Sequence, residues 1–268
     1  MTTATTTAAR KFRGASTEGR SVAELRDLVR HAGAELELAP AEVILEWAVA
    51  TFGERFCVTS SMADGVLAHL ASRVAPGIDV VFLDTGYHFA ETVGTRDAVA
   101  ATLPVNVVTV SPEQTVAEQD ASYGKDLYAR DPDLCCALRK VRPLEQALAD
   151  YDAWATGLRR AETRDRVVAP VIGWDEARGK VKVSPLARWS DDRLQRYIAE
   201  HDVLVNPLQY DGYPSIGCWP CTRRVDPGDD PRSGRWAGTS KTECGIHSSP
   251  PPTAPSATPS SQKGRQHP

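Results

Sequence analysis

Six cysteines carry most of the chemistry that this chain's residue types allow. Cys135 and Cys136 are adjacent, and Cys218 and Cys221 bracket a C-W-P-C unit about 80 residues further on. A C-x-x-C alone reads as a redox motif or as half of a zinc site. Two pairs supply four thiolates, which suit a four-cysteine zinc site or an iron–sulfur cluster. Zinc ribbons space their ligands apart, whereas the separate irons of a cubane can each take one of two neighbouring thiolates. Adjacency therefore favours a 4Fe–4S cluster, although spacing alone does not settle it, and two unrelated buried pairs is the bland alternative. Cys57, between Phe56 and Val58, reads as a small buried hydrophobe. Cys244 differs from the rest. It sits in KTECGIH, beyond the Gly- and Asp-rich stretch DPGDDPRSGRWAGTS. It is either an incidental exposed thiol or a nucleophile on a mobile segment, with Lys241 or His247 favouring its thiolate and Glu243 opposing it.

Cations accompany the thiols. A helix through Cys135–Lys140 would set Cys135 by Arg139 and Cys136 by Lys140, each four residues apart. Such charges would ease the burial of an anionic cluster and draw in an anionic substrate. The plain alternative is a solvated basic face including Arg142. The loop GLRRAETRDR packs Arg159, Arg160, Arg164 and Arg166 into eight residues, either as a solvated charge run or as a seat for an anion. VTSSMADGV, with Ser60 and Ser61, has a strand–polar loop–helix shape that aims backbone N–H groups at an anion. It lacks the Walker and dinucleotide glycine patterns, so by itself it is equally an ordinary capped helix start.

Elements that could position these groups alternate along the chain. SVAELRDLV, PAEVILEWAVATF, DGVLAHLASRV, HFAETVGTRDAVAAT and LCCALRKVRPLEQAL have helical spacing; SDDRLQRYIAEH adds a helix with Ser190 as N-cap. RFCVTSS, DVVFLDTG, NVVTVS and DAWATG read as strands, with VVAPVIGW and KVKVSPL as further extended segments. Strands that are apolar on both faces and alternate with helices predict an α/β fold, an open and mostly parallel sheet flanked by helices. Ligands of such sheets bind at the carboxyl ends of the strands. Those ends carry Ser60 and Ser61, Asp84–Gly86, and the arginine loop. Residues 1–20 read as a flexible arm, 21–225 as the α/β domain, 226–247 as a mobile catalytic segment and 248–268 as a disordered Pro/Ser-rich tail.

The 268 residues include 31 Lys+Arg and 35 Asp+Glu, a net charge of −4 that argues against polyanion binding, so no nucleic acid is expected as a partner. No run of 18 apolar residues suits a membrane span, and MTTATTTAARKFRG has no signal-peptide core, so a cytoplasmic location is expected. In that reducing compartment, cysteines serve metal, redox or catalytic ends rather than disulfides.

Five segments in order resemble one family: FLDTGYHFAET, CCALRKVRPL, WATGLRR, GCWPC and KTECGIH. Over roughly residues 40–247 the chain resembles the sulfonucleotide reductases, specifically the assimilatory adenylyl-sulfate (APS) reductases. The resemblance implies a fold like that of the ATP pyrophosphatases (adenine nucleotide alpha hydrolase-like) and thioredoxin-dependent reduction of APS to sulfite and AMP through a cysteine S-sulfonate. It implies one 4Fe–4S cluster on Cys135, Cys136, Cys218 and Cys221, Cys244 as nucleophile, and thioredoxin or glutaredoxin as partner. Ser60, Ser61, Lys140, Arg159, Arg160, Arg164, Arg235 and His247 would touch the substrate, with Arg166 a further arginine of the same loop. A homo-oligomer is left open. Two departures stand out: SSMADG replaces the usual continuation of the phosphate loop, and Glu162 stands where glutamine is common, an acid that must pair with an arginine to sit near an anion. A 3′-phosphoadenylyl-sulfate (PAPS) reductase or dual-substrate enzyme is the alternative, although PAPS reductases generally lack both cysteine pairs. A tRNA-acting pyrophosphatase would want an S-G-G-x-D-S loop and a basic surface; an iron–sulfur sensor would not need the Cys244 segment.

Overall fold

The computed structural model describes residues 21–239 and 241–247. The expected arm at 1–20 and tail at 248–268 lie outside the described residues. The apolar runs FCVT, DVVFL, NVVTV and AWAT become β1 (Phe56–Thr59), β2 (Asp79–Leu83), β3 (Asn106–Val110) and β4 (Ala153–Thr156). β5 (Ile172–Asp175) and β6 (Lys180–Val183) complete a six-stranded sheet in the order β3-β2-β1-β4-β6-β5. All neighbours pair in parallel except β5 and β6. Those two are joined by a four-residue turn, where Gly179 at φ +63 donates to the Asp175 carbonyl at 2.8 Å, and so short a link permits only an antiparallel pair. Burial follows position. Phe56, Cys57 and Val58 of β1 and all four residues of β4 are covered on both faces, whereas edge strand β3 is open to solvent at Asn106 and Thr109.

Nine helices surround the sheet among the described residues: α1 (Val22–Leu36), α2 (Ala41–Phe52), α3 (Val66–Val74), α4 (Ala90–Thr102), α5 (Val116–Tyr123), α6 (Leu127–Arg130), α7 (Pro132–Cys136), α8 (Arg142–Ala147) and α9 (Asp191–His201). Ser21 and Glu24 form a capping box at α1, and Ser190 caps α9 by accepting from the Arg193 amide at 3.2 Å. The core is built from α2, α3 and the sheet, with Ile44, Leu45, Phe52, Val58, Leu70 and Phe82 almost fully buried.

The stretch expected as one regular helix from Leu134 to Leu148 is not regular. Between α7 and α8, Ala137–Val141 form a π turn, and the Arg142 amide donates to the Ala137 carbonyl. Pro143 explains it: proline has no N–H for the carbonyl four residues back, and its ring crowds that turn, which the wider π geometry relieves.

β1 leads outward to β2 and β3, while β4 returns to the other side of β1. The chain therefore changes direction between Thr59 and Thr156, which are register partners at the carboxyl ends of adjacent strands. Their following loops diverge and open a crevice, the usual ligand position in such sheets.

Candidate active site

A cleft of ≈ 1080 Å³ fills this crevice. Its walls include Ser60 and Ser61 after β1, Arg159, Arg160, Arg164 and Arg166 after β4, Lys140 from the π turn, and Arg235, Cys244 and His247 from the C-terminal segment. Every substrate-site residue expected from sequence, and the expected nucleophile, thus faces one space. The functional groups are used differently from expectation, however. Ser60 accepts the Met62 amide at 3.2 Å and so shapes its own loop, in which Met62 is fully buried at φ +58. Ser61 is exposed toward the cleft.

Acids already engage most of the arginine loop. Arg159 donates to Asp191 at 2.6 Å, and Arg160 makes a two-pronged pair with Glu37 at 2.7 and 3.1 Å. Glu162 accepts the Arg159 amide at 3.0 Å and pairs with Arg166, so its charge is balanced inside the loop. Arg164 is exposed at the rim. Lys140 and Arg235 differ. Arg235 donates to the Ser215 hydroxyl at 3.2 Å and the Ile216 carbonyl at 3.1 Å and lies 4.6 Å from the Trp236 ring centroid, partners that carry no formal charge. A Cβ on Gly217 would collide with the Arg235 Nη2, so only glycine lets this guanidinium lie there.

Behind Lys140, Arg235 and Trp236, which also line it, a second and smaller cavity is bounded by Cys135, Cys136, Cys218 and Cys221. α7 supplies the first pair and the C-W-P-C turn the second; the turn is anchored by the Trp219 amide donating to the Tyr87 carbonyl at 2.8 Å. The Thr85 hydroxyl lies 3.3 Å from the Cys218 sulfur. Burial and then the neighbouring thiols push Cys135 up to about 12, while burial lifts Cys136 to about 11 against the pull of Lys140 and Lys241. Such thiols stay protonated at neutral pH unless a strong Lewis acid replaces the proton. Among the described residues no three His, Cys, Asp or Glu side chains converge as a single-ion site; the four thiols frame a cavity instead. Arg139 does not form a solvated basic face. It is 4% exposed, bonded to the Thr85 carbonyl at 2.5 Å and to Gln119 at 3.1 Å, and lies over the Tyr87 ring. Lys140 sits above its ordinary pKa: burial works against its charge, and Cys218, Cys244 and Cys136 outweigh that penalty.

Cys57, as expected, belongs to the core, fully buried beside Trp154 and Leu144. Cys244 reaches the cleft on a segment without helix or strand. Its sequence neighbours act otherwise than expected. Glu243 is held by Arg166 through two bonds of 2.8 Å and by Arg232 at 3.5 Å, so its charge is compensated. Lys241 pairs with Asp133 on α7. His247 is stacked on Trp154, with ring centroids 6.3 Å apart and 9° between planes. Burial, then Lys182, Arg166, Arg178 and Arg232, hold its pKa well below the usual histidine value, so it is neutral and supplies no positive charge to the thiol. Sequence reasoning passed over Arg178, Lys182 and Arg232. They come from the β5–β6 turn, from β6, and from the loop before Cys244, and no local pattern links them.

A family model described as the phosphoadenosine phosphosulfate reductase domain matches residues 55–224. The adenosine 5′-phosphosulfate reductase of Streptomyces coelicolor is 66% identical over 230 residues, covering 86% of this chain and 98% of that protein. The enzyme of that name from Mycolicibacterium smegmatis is 59% identical over 224 residues, covering 84% and 95%. Among solved structures, phosphoadenylyl-sulfate reductase from Candida auris, in a phosphate complex, superimposes with a TM-score of 0.62 at 26% identity, covering 80% of this chain and all of that one. The open, mostly parallel sheet with its crevice beside β1 is thus the adenine nucleotide alpha hydrolase-like fold. The chain belongs to the phosphoadenosine phosphosulfate reductase domain family, together with the adenosine 5′-phosphosulfate reductases to which it is similar over nearly their whole length.

Proposed function

We propose that this protein reduces adenylyl sulfate to sulfite and AMP in assimilatory sulfate reduction, in the cytoplasm, with thioredoxin or glutaredoxin as electron donor. The observation that carries the reading is the meeting of Cys244 with Lys140 and Arg235 in a nucleotide-sized cleft at the switch point of the sheet. The Cys244 thiolate attacks the sulfur of the mixed anhydride. A sulfur–sulfur bond forms, the bond from sulfur to the bridging oxygen breaks, and AMP leaves. Lys140 and Arg235, which form no salt bridge among the described residues, stabilise the negative charge on the transferring sulfonate and on AMP. A thioredoxin thiolate then attacks the Cys244 sulfur and expels sulfite, and its second thiol resolves the mixed disulfide. The substrate sulfur gains two electrons and the thioredoxin dithiol loses two.

Cys135, Cys136, Cys218 and Cys221 suit a 4Fe–4S cluster because all four thiols line one cavity and neighbouring thiolates can each bind a different iron. When bound, the cluster would supply fixed charge beside the shared wall of the two cavities, and both electrons would still come from the dithiol. Lys140 and Arg235 form that wall and place positive charge between thiols and substrate.

The test is an anaerobic assay of the purified protein with APS and with PAPS, using reduced thioredoxin and measuring sulfite. APS is expected to be the better substrate by kcat/KM; equal or faster turnover of PAPS would overturn the substrate assignment.

A further inference from the structure

Cys244 is flanked by two anchors. On its N-terminal side, Arg232 donates to the Thr242 carbonyl at 3.0 Å, and Arg166 and Arg232 hold Glu243. Gly245, at φ +83, then turns the chain sharply, and a Cβ at that position would lie 3.3 Å from Val141 of the π turn. On the C-terminal side, Arg178 donates to the Ile246 carbonyl at 3.3 Å, Ile246 packs beside Leu144 and Trp154, and His247 stacks on the Trp154 ring.

The second anchor is a built seat. Trp154 is fully buried on β4, with the Arg178 guanidinium 5.7 Å and the Lys182 ammonium 5.2 Å from its ring centroid. Arg178 is itself fixed by Asp175 at 2.8 Å, in a pair whose side chains are 4% and 8% exposed. Buried charges of this kind are expensive to assemble and rarely stabilise a fold better than apolar residues would. Here one of them, Arg178, reaches the carbonyl of a residue two positions past Cys244.

We propose that Arg178 is a positioning residue for the reaction, seating Ile246 and His247 on Trp154 so that the Cys244 thiol is aimed at the substrate sulfur. Arg178 does not line the cleft; it acts through the main chain of the segment that carries Cys244. The inference rests on Cys244 being the nucleophile. A thiol displaced by about 1 Å from its line of attack reacts about a hundredfold more slowly, and that loss should fall on the chemical step rather than on nucleotide binding.

Two full-length variants test it. Arg178→Leu combined with Asp175→Asn removes both charges, so that no carboxylate is left buried without a partner. Arg178→Lys keeps the charge but not the planar reach to the Ile246 carbonyl. Single-turnover mixing with APS, without thioredoxin, reads formation of the Cys244 S-sulfonate by mass spectrometry. Iodoacetamide reads exposure of Cys244 with AMP bound, calorimetry reads AMP affinity, and circular dichroism reads folding. The double variant should bind AMP like the parent, form the S-sulfonate about a hundredfold more slowly and alkylate faster at Cys244, with Arg178→Lys in between. Parental S-sulfonate rates in both variants would overturn the proposal. So would a loss of AMP affinity matching the loss of rate with alkylation unchanged, which is the signature of a merely structural role. A parent protein that forms no S-sulfonate on Cys244 would instead sink the reading on which the proposal rests.

Discussion

Lys182→Met isolates the electrostatic cost of building charge near Cys244. The Lys182 ammonium lies 5.2 Å from the centre of the Trp154 ring, and burial is the leading reason its pKa falls from 10.5 to about 8. Asp175 and Cys244 pull the value up, while Arg178 and Arg166 push it further down. A fall of that size corresponds to about 3 kcal/mol of folding free energy withheld at pH 7. Attraction to the indole face returns about 1–2 kcal/mol, and methionine preserves most of the packing of the stem. The variant should therefore be more stable than the parent by about 1–2 kcal/mol at neutral pH. The pH dependence has a definite sign. The folded pKa lies below the unfolded one, so the penalty is fully present below about pH 8. Between about 8 and 10.5 the folded chain releases a proton that the unfolded chain still holds, and the parent gains on the variant as pH rises. Anaerobic urea unfolding followed by tryptophan fluorescence, at about pH 7 and about pH 9.5, measures the difference directly. The same substitution removes a cation near Cys244, so alkylation of Cys244 should slow at pH 7 even as the fold gains stability. Equal stabilities at pH 7, or a difference that does not shrink toward pH 9.5, would refute the assignment of a buried, charged lysine at this position.

Two further substitutions probe the cleft and the smaller cavity behind it. Gly217→Ala drives a methyl group into the Arg235 Nη2 and must displace that guanidinium, so AMP affinity should fall about tenfold or more in calorimetry, as expected for losing a charge-assisted contact, with little change in melting temperature. Cys136→Ser should yield a folded protein depleted in iron by elemental analysis after anaerobic purification; full iron loading would remove Cys136 from the ligand set.

Much of this was legible in the sequence for physical reasons. The strands around Cys57 and Trp154 are apolar on both faces because helices cover the sheet on both sides, and that pattern survives in a single chain. The polar ends of β1 and β4 mark the crevice because a buried strand must end where its polar groups can be satisfied. The π turn in the helix carrying Cys135 and Cys136 was not expected, although Pro143 is a visible physical reason for a fault there. The partners of the arginines were not legible. Arg160 meets Glu37 across 123 positions and Arg166 meets Glu243 across 77, and no periodicity connects residues that only the closed fold brings together. For the same reason Glu243 looked like an opponent of the Cys244 thiolate, whereas in the structure its charge is consumed by Arg166 and Arg232. Arg178 and Lys182 carry no signal in the sequence, because their relation to Trp154 depends on strand pairing.

On the proposed function, Cys244 takes the sulfonate from the nucleotide before any reductant acts. The most direct measurement mixes the anaerobic protein with APS alone and determines the mass of the Cys244 peptide, then adds reduced thioredoxin and measures sulfite. The expected result is a stoichiometric S-sulfonate on Cys244, one AMP released per chain, and sulfite appearing only on addition of thioredoxin, with none of these seen in Cys244→Ser. Sulfite released without modification of Cys244, or sustained turnover by Cys244→Ser, would contradict it.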